Sequence, residues 1–421
     1  MKLTTTTAAL ALLAVSAPAT AQYGPQAGQP QTAVQPAPGD ATAKTTEGKK
    51  IKLSKNAQKA VIELQKAVND KDFASVPAKA AAAQAVASTA DDKYAIGQLQ
   101  LKAALATKDN AAMAAAIDTI ASSGFVDAAT SSKLYASLGT TLYNEKQYAP
   151  AGAAFQKAAT LDPNNAEFYS LLGEAKFAQG QKADAATAFQ RAVQLQRAAG
   201  AKPEETLLKR AVSVAYEARS PLAMELARDW AAAYPSPESW RNSIAIYRNM
   251  AHPDVEGTLD MLRLMQLTGS LNTSGEYALF AEAAADQSNY NEAQAIIDAG
   301  VAAKVVDPAS AQFRDIVNGL KDKPKSTAAD LEEALKNSPT APYLLRIGDR
   351  FAAMGNYAKA ADIYRQVLTK AGADKDVANL HLGMALVRAG DKAGATAAFK
   401  AVGGTRADIA KYWLIYVQQH A

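Results

Sequence analysis

The sequence predicts an all-α solenoid of short paired helices, and three observations carry that prediction. Apolar residues recur at spacings of three and four along most of the chain, which is the period of an amphipathic helix. Convincing period-two alternation is missing, so strands are not expected. One pattern of small and large residues also returns 34 positions later, a length at which two helices make one stacking unit.

The chain begins differently. Lys2, the apolar run Ala8–Val15 and the small residues Ala19-Thr20-Ala21 form the three parts of a secretory signal. Residues 1–21 are therefore a predicted signal peptide, cleaved between Ala21 and Gln22. The apolar run is too short to span a bilayer, which takes about 20 apolar residues, and no later stretch approaches that length. Cysteine is absent from all 421 residues. That excludes disulfides, thiolate metal sites, a cysteine nucleophile and the acylated cysteine of a lipid anchor. The periplasm is the expected location, with secretion as the alternative.

Residues 22–52 contain Pro25, Pro30, Pro36 and Pro38 with little apolar material, and read as a disordered linker. Lysines at 44, 49, 50, 52, 55 and 59 are set against Glu47 alone in that stretch. Two readings stay open: a solvated approach to the first helix, and weak contact of Lys44–Lys59 with a membrane surface. Over the whole chain 45 basic residues against 41 acidic ones give a charge of +4. Such balance, with no concentrated basic face, argues against nucleic acid as a partner.

The helices follow in order. Ser54 is a natural N-cap, followed by Ala57, Ala60, Val61, Leu64, Ala67 and Val68 on one face. Within 53–131 the stretches 54–87 and 90–123 each fit a helix pair without the consensus residues of the repeat. The repeat is explicit in 132–199. Leu138-Gly139, Ala151, Phe155 and Ala158 return as Leu172-Gly173, Ala185, Phe189 and Ala192, an offset of 34. Small residues at 139, 151, 173 and 185 let backbones approach, and Phe155 and Phe189 are expected to fill the space between successive pairs. Asp162-Pro163 stops the second helix, because proline cannot continue the hydrogen-bond ladder.

Residues 200–340 hold weaker units, marked by Ala223, Ala227, Tyr234-Pro235, Trp240 and Tyr247, then by Tyr277, Ala281, Tyr290, Ala293 and Ile297. Residues 341–410 restore the pattern. Ile347-Gly348, Phe351, Ala360 and Tyr364 are followed by Leu382-Gly383, Leu386, Ala395 and Phe399, at an offset of 35. The segment 407–421 is expected to cap the exposed end of the stack through Trp413 and Tyr416.

This period and residue order resemble the tetratricopeptide repeat (TPR) family. The resemblance implies a right-handed superhelix of antiparallel helix pairs, here of exported bacterial type. First helices would line a concave groove that holds protein partners. Carried onto this sequence, one wall would show Lys133, Tyr143, Asn144, Glu167, Glu174 and Phe177, which is mixed and mildly acidic. The other would show Arg241, Asn242, Arg248, Arg346, Asp349, His381 and Arg388. That net positive wall suits an acidic or carboxylate-bearing segment.

Catalytic groupings are missing from the sequence. HExxH, GxxxxGK[ST], strand-linked GxGxxG and GxSxG motifs do not occur, and His252, His381 and His420 lie far apart. The pairs Asp91-Asp92 and Glu332-Glu333 fall at helix starts, where acids favour the positive end of the dipole. No catalytic residue, metal or cofactor is expected. The expected function is a non-catalytic scaffold for protein partners in the bacterial cell envelope. The alternative is a periplasmic glycan or small-molecule binder using Tyr143 and Phe177 in the groove. A hydrolase built around His252 in the weak middle region is the third reading.

Overall fold

The computed structural model describes residues 51–337 and 340–420. The signal segment, the Ala21–Gln22 cleavage position and residues 22–50 lie outside that range. Every regular element among the described residues is helical, and none is long and apolar enough to cross a membrane.

The helices follow one another in pairs. The first five pairs are α1 (Lys55–Asn69) with α2 (Val76–Val86), α3 (Ala90–Thr107) with α4 (Asn110–Ser122), α5 (Ala128–Asn144) with α6 (Tyr148–Leu161), α7 (Ala166–Ala178) with α8 (Lys182–Ala198), and α9 (Glu205–Glu217) with α10 (Leu222–Ala233). Then come α11 (Pro237–Ala251), α12 (Val255–Leu267), α13 (Ser274–Asp286), α14 (Tyr290–Ala302), α15 (Ala311–Lys321) and α16 (Ala328–Lys336). Last are α17 (Ala341–Ala353), α18 (Tyr357–Thr369), α19 (Lys375–Ala389), α20 (Lys392–Lys400) and α21 (Ala407–Gln419).

Local chemistry sets where helices start. Ser54 Oγ accepts from the Ala57 amide, Thr89 and Asp92 make a reciprocal capping box, and Asp254 accepts from Gly257. Each satisfies amides that the helix cannot pair internally. Asp92 also accepts from the Ser54 amide at 2.8 Å, tying the chain entry to α3. Burial opposes its ionisation, but the Ser88, Ser54 and Thr89 donors win and hold it well below the usual carboxylate range.

Inside the clearest pairs a glycine faces an aromatic ring. A Cβ added at Gly139 would lie 2.6 Å from Phe155, at Gly173 3.0 Å from Phe189, and at Gly348 2.6 Å from Tyr364. Gly383 meets Phe399 in the same way. The rings therefore seat on the glycine of their own pair, which corrects the expectation that they fill only the gap to the next. The missing Cβ leaves the ring its place.

From α1 to α9 each pair packs on its sequence neighbours. From α10 onwards the chain returns on itself. One continuous core runs from Ala231 to Val417. α21 packs on α20 through Trp413, which stacks on Phe399 with centroids 5.9 Å apart. Its other face reaches back to α10, α11 and α12. Tyr412 Oη donates to the Ser243 carbonyl at 3.0 Å and sets its ring edge-on to Tyr247. Gln419 Nε2 donates to the Ala231 carbonyl at 2.7 Å.

Arg406, in the short turn before α21, forks onto Asp254 at 2.6 and 2.8 Å and reaches Glu256 at 3.0 Å. The last helix thus closes a ring rather than capping an open end. The cause is its composition: Ile409, Ala410, Tyr412, Trp413 and Val417 are all buried, so apolar groups must be covered on more than one side. Pairing loosens opposite this closure. α15 packs on α13 and α14, α16 packs on α17, and α14 touches α17 directly.

Candidate functional site

Two regions gather polar and aromatic side chains. The first lies on the first helices of consecutive pairs, α5, α7 and α9. Arg210 of α9 forks onto Glu174 of α7 at 2.8 and 2.7 Å. Its guanidinium lies 4.3 Å from the centroid of Phe177, a cation–π contact. Tyr143 of α5 meets Tyr148 edge-on, with centroids 5.3 Å apart. Burial, then the Glu174 charge, pushes the Tyr143 hydroxyl up. Asn144 ends α5 and is exposed. The Arg210 contacts join α7 to α9, and Tyr143 stands on the corresponding helix of the pair before them.

The second region is a cleft of about 180 Å³ inside the ring, between α12, the start of α14, α17 and α19. Behind its wall lies a buried charge network. His381 Nδ1 stands 2.8 Å from Asp349 and Nε2 stands 3.2 Å from Asp260. Asp349 also accepts from Tyr364 Oη at 2.7 Å. Arg263 forks onto Glu292 at 2.8 and 2.7 Å and reaches Asp260 at 2.9 Å.

Burial alone would push the His381 pKa down. The Asp349 and Asp260 carboxylates outweigh it and hold the ring protonated well above its ordinary value. Burial likewise opposes ionisation of Asp349, yet His381, Arg263 and Tyr364 keep it below the usual carboxylate range. Arg263 is held up by Glu292, Asp260 and Asp349 against its burial.

The structure brings Arg346, Asp349 and His381 together at this cleft, but the seven residues of the expected positive wall do not form one solvent-facing surface. Arg241 is engaged by Glu276 at 2.7 Å, and Arg248 is half-buried, its charge favoured by Glu276. Arg388 donates to Tyr357 Oη at 2.6 Å and lies over that ring. Asn242, Arg346 and Arg388 are exposed, and Arg346 lies over the Tyr343 ring. His381 is buried. Ring closure is the reason, since it turns the inner faces of α17 and α19 onto α12.

A larger, open hollow of about 610 Å³ lies beside α4, α5 and α6. Its polar groups satisfy one another: Asp118 accepts from Tyr135 Oη at 2.5 Å and from Lys157 at 2.6 Å. His252 is exposed in a left-handed turn after α11, with φ of 46°, and lines neither hollow. The residues missed from sequence are Arg210, Arg263, Asp260 and Arg406. The first had a signal available: Glu174 and Arg210 stand 36 residues apart, close to one repeat, as do Arg241 and Glu276 at 35.

Residues 132–165 and 166–198 match the family model described as Tetratricopeptide repeat. These segments are tetratricopeptide repeats. Arg210 and its partners thus sit on the first helices of the matched repeats and of the pair that follows them. Among curated proteins none matches the sequence. The chain is similar in structure to a tetratricopeptide repeat protein from Parabacteroides merdae, with 14% identity, TM-score 0.27, and cover of 68% of this chain and 98% of that one. It is also similar to MamA from Desulfovibrio magneticus RS-1, with 16% identity, TM-score 0.24, and cover of 47% and 98%. The TPR2AB domain of yeast Sti1 in its pHSP90 complex gives 11% identity, TM-score 0.25, and cover of 69% and 95%. Scores this low bear neither on function nor on the path of the whole chain. The repeats themselves support a protein-interaction scaffold.

Proposed function

We propose that the chain is an exported scaffold of the bacterial cell envelope, which holds a segment of a partner protein along α5, α7 and α9. The observation that carries this reading is the joined cluster of Glu174, Phe177 and Arg210, with Tyr143 on the first helix of the pair before. An aromatic face, a carboxylate and a guanidinium are fixed there by mutual contacts. Such preorganised groups bind at lower entropic cost than free surface side chains. The secretory signal Lys2 to Ala21 supports the envelope, with the periplasm favoured over secretion. No chemical step is assigned to the protein.

The test is site-specific photocrosslinking in the living cell. A photoreactive residue at Phe177 is expected to capture a partner that the same residue at Gln156, on α6, does not. Equal capture at both positions contradicts the reading. Location is tested separately by fractionation, where a cytoplasmic chain retaining its first 21 residues would contradict export.

A further inference from the structure

The cleft inside the ring carries chemistry that the partner-holding face does not use, and its two ends are charged oppositely. At depth the carboxylates of Glu256, Asp260, Glu292 and Asp349 face two cations, Arg263 and His381. Arg406 reaches Glu256 at 3.0 Å, but its fork is taken by Asp254. Burial still pushes Glu256 up, as expected of a carboxylate short of counter-charge. At the mouth, Arg346 and Arg350 line the cleft one turn apart on α17. Neither forms an ion pair among the described residues.

A buried acceptor in the cleft wall points to a missing donor. Asn289 is 3% exposed and lines the cleft; its Nδ2 is given to Glu292 at 2.9 Å, while its Oδ1 has no partner. A buried acceptor without a donor is costly, so a donor arriving at Asn289 is favoured. Size narrows the class. Sites for drug-sized ligands span about 300–1,000 Å³, and this cleft, near 180 Å³, suits a molecule of amino-acid size. α12 forms the opposite wall, leaving no through-groove for an extended peptide.

We propose that this cleft binds a small zwitterion of the free amino-acid class, with its ammonium inward at Asn289 and its carboxylate at Arg346 and Arg350. The ammonium supplies N–H donors to the orphaned acceptor and offsets the surplus of negative charge. The carboxylate meets two guanidinium forks, the geometry that suits it best. A dicarboxylate would place an anion against the buried carboxylates, and a diamine would place a cation against the arginines. The two poles together set the class.

The experiment is calorimetric titration of the full chain with each common amino acid singly. The tightest binder is then compared with its amide and with its deaminated acid. Binding of at least one amino acid is expected, with both analogues weaker by at least about tenfold, which is about 1.4 kcal/mol. The double substitution Arg346→Ala with Arg350→Ala is expected to weaken binding at least tenfold by the same measure. Arg388→Ala, outside the cleft, should leave it unchanged. Three results overturn the proposal: no heat from any amino acid well above about 1 mM, a threshold near 4 kcal/mol; an analogue binding as tightly as the parent; or unchanged affinity in the double variant. Photocrosslinking at Phe177 is independent of all three.

Discussion

The two halves of the described chain use one building unit in different ways. Residues 55–217 stack in sequence order, and each pair depends on its neighbours. Residues 231–420 close on themselves through α21, so pairs distant in sequence share one core. Stacked repeats are close to one-dimensional in their energetics. Closure removes that property, because a defect anywhere in the ring is felt at the seam. The open half offers a face, while the closed half offers an interior. That difference separates the two functional readings.

The largest effect that would sharpen the comparison is expected from Asp349→Ala. It removes one carboxylate from a largely buried network and leaves His381 short of a partner, at a cost of about 3 kcal/mol. Hydrogen exchange should show the loss across residues 231–420 and leave the amides of 55–217 protected. Uniform loss over both halves would mean that they do not behave differently.

Arg406→Ala is expected to cost about 2 kcal/mol, since it removes charged hydrogen bonds to Asp254 and Glu256. The figure is modest because Asp254 is 65% exposed and stays hydrated when its partner leaves. Chemical denaturation would measure it, and a change below a few tenths of a kcal/mol would show that the fork does not hold the seam.

pH should separate the halves more gently. His381 is raised in the native protein, so its contribution is complete below about pH 6.5, the ordinary histidine value. It is lost as pH climbs through the elevated native value. Asp349 is lowered; its contribution is present above about pH 3.9 and lost as pH falls through the depressed native value. Residues 55–217 contain no histidine. The melting of the closed half should therefore fall on moving from neutral to alkaline pH, and His381→Asn should flatten that slope. The same slope in the variant would assign the effect to another group.

The smallest effect is expected in the open half. Arg210→Ala removes the fork on Glu174, but both side chains are about one-third exposed. Solvent screening limits the loss to about 1 kcal/mol or less. Its consequence should appear in partner capture at Phe177 rather than in stability.

What could be read in advance follows the range of each interaction. Caps such as Ser54 and Thr89 act over three residues, and the glycine–aromatic seats of Gly139 with Phe155 and Gly383 with Phe399 lie within one pair. Of these, the Ser54 cap and the recurrence of the glycine and aromatic positions were legible from spacing; which ring seats on which glycine was not. Arg406 meets Asp254 across 152 positions, and Tyr412 meets Ser243 across 169. No periodicity relates such residues, so ring closure was not legible. The same reason applies to the expected wall: Arg346, Asp349 and His381 do meet at one cleft, but their places on first helices do not reveal that α12 lies opposite.

The central claim is that α21 is a seam of the second half and not a terminal cap. Hydrogen exchange on a chain ending at residue 403 tests it most directly. The account predicts loss of protection in α10, α11 and α12 as well as in α19 and α20. Loss confined to α19 and α20, with α10 to α12 unchanged, would contradict it.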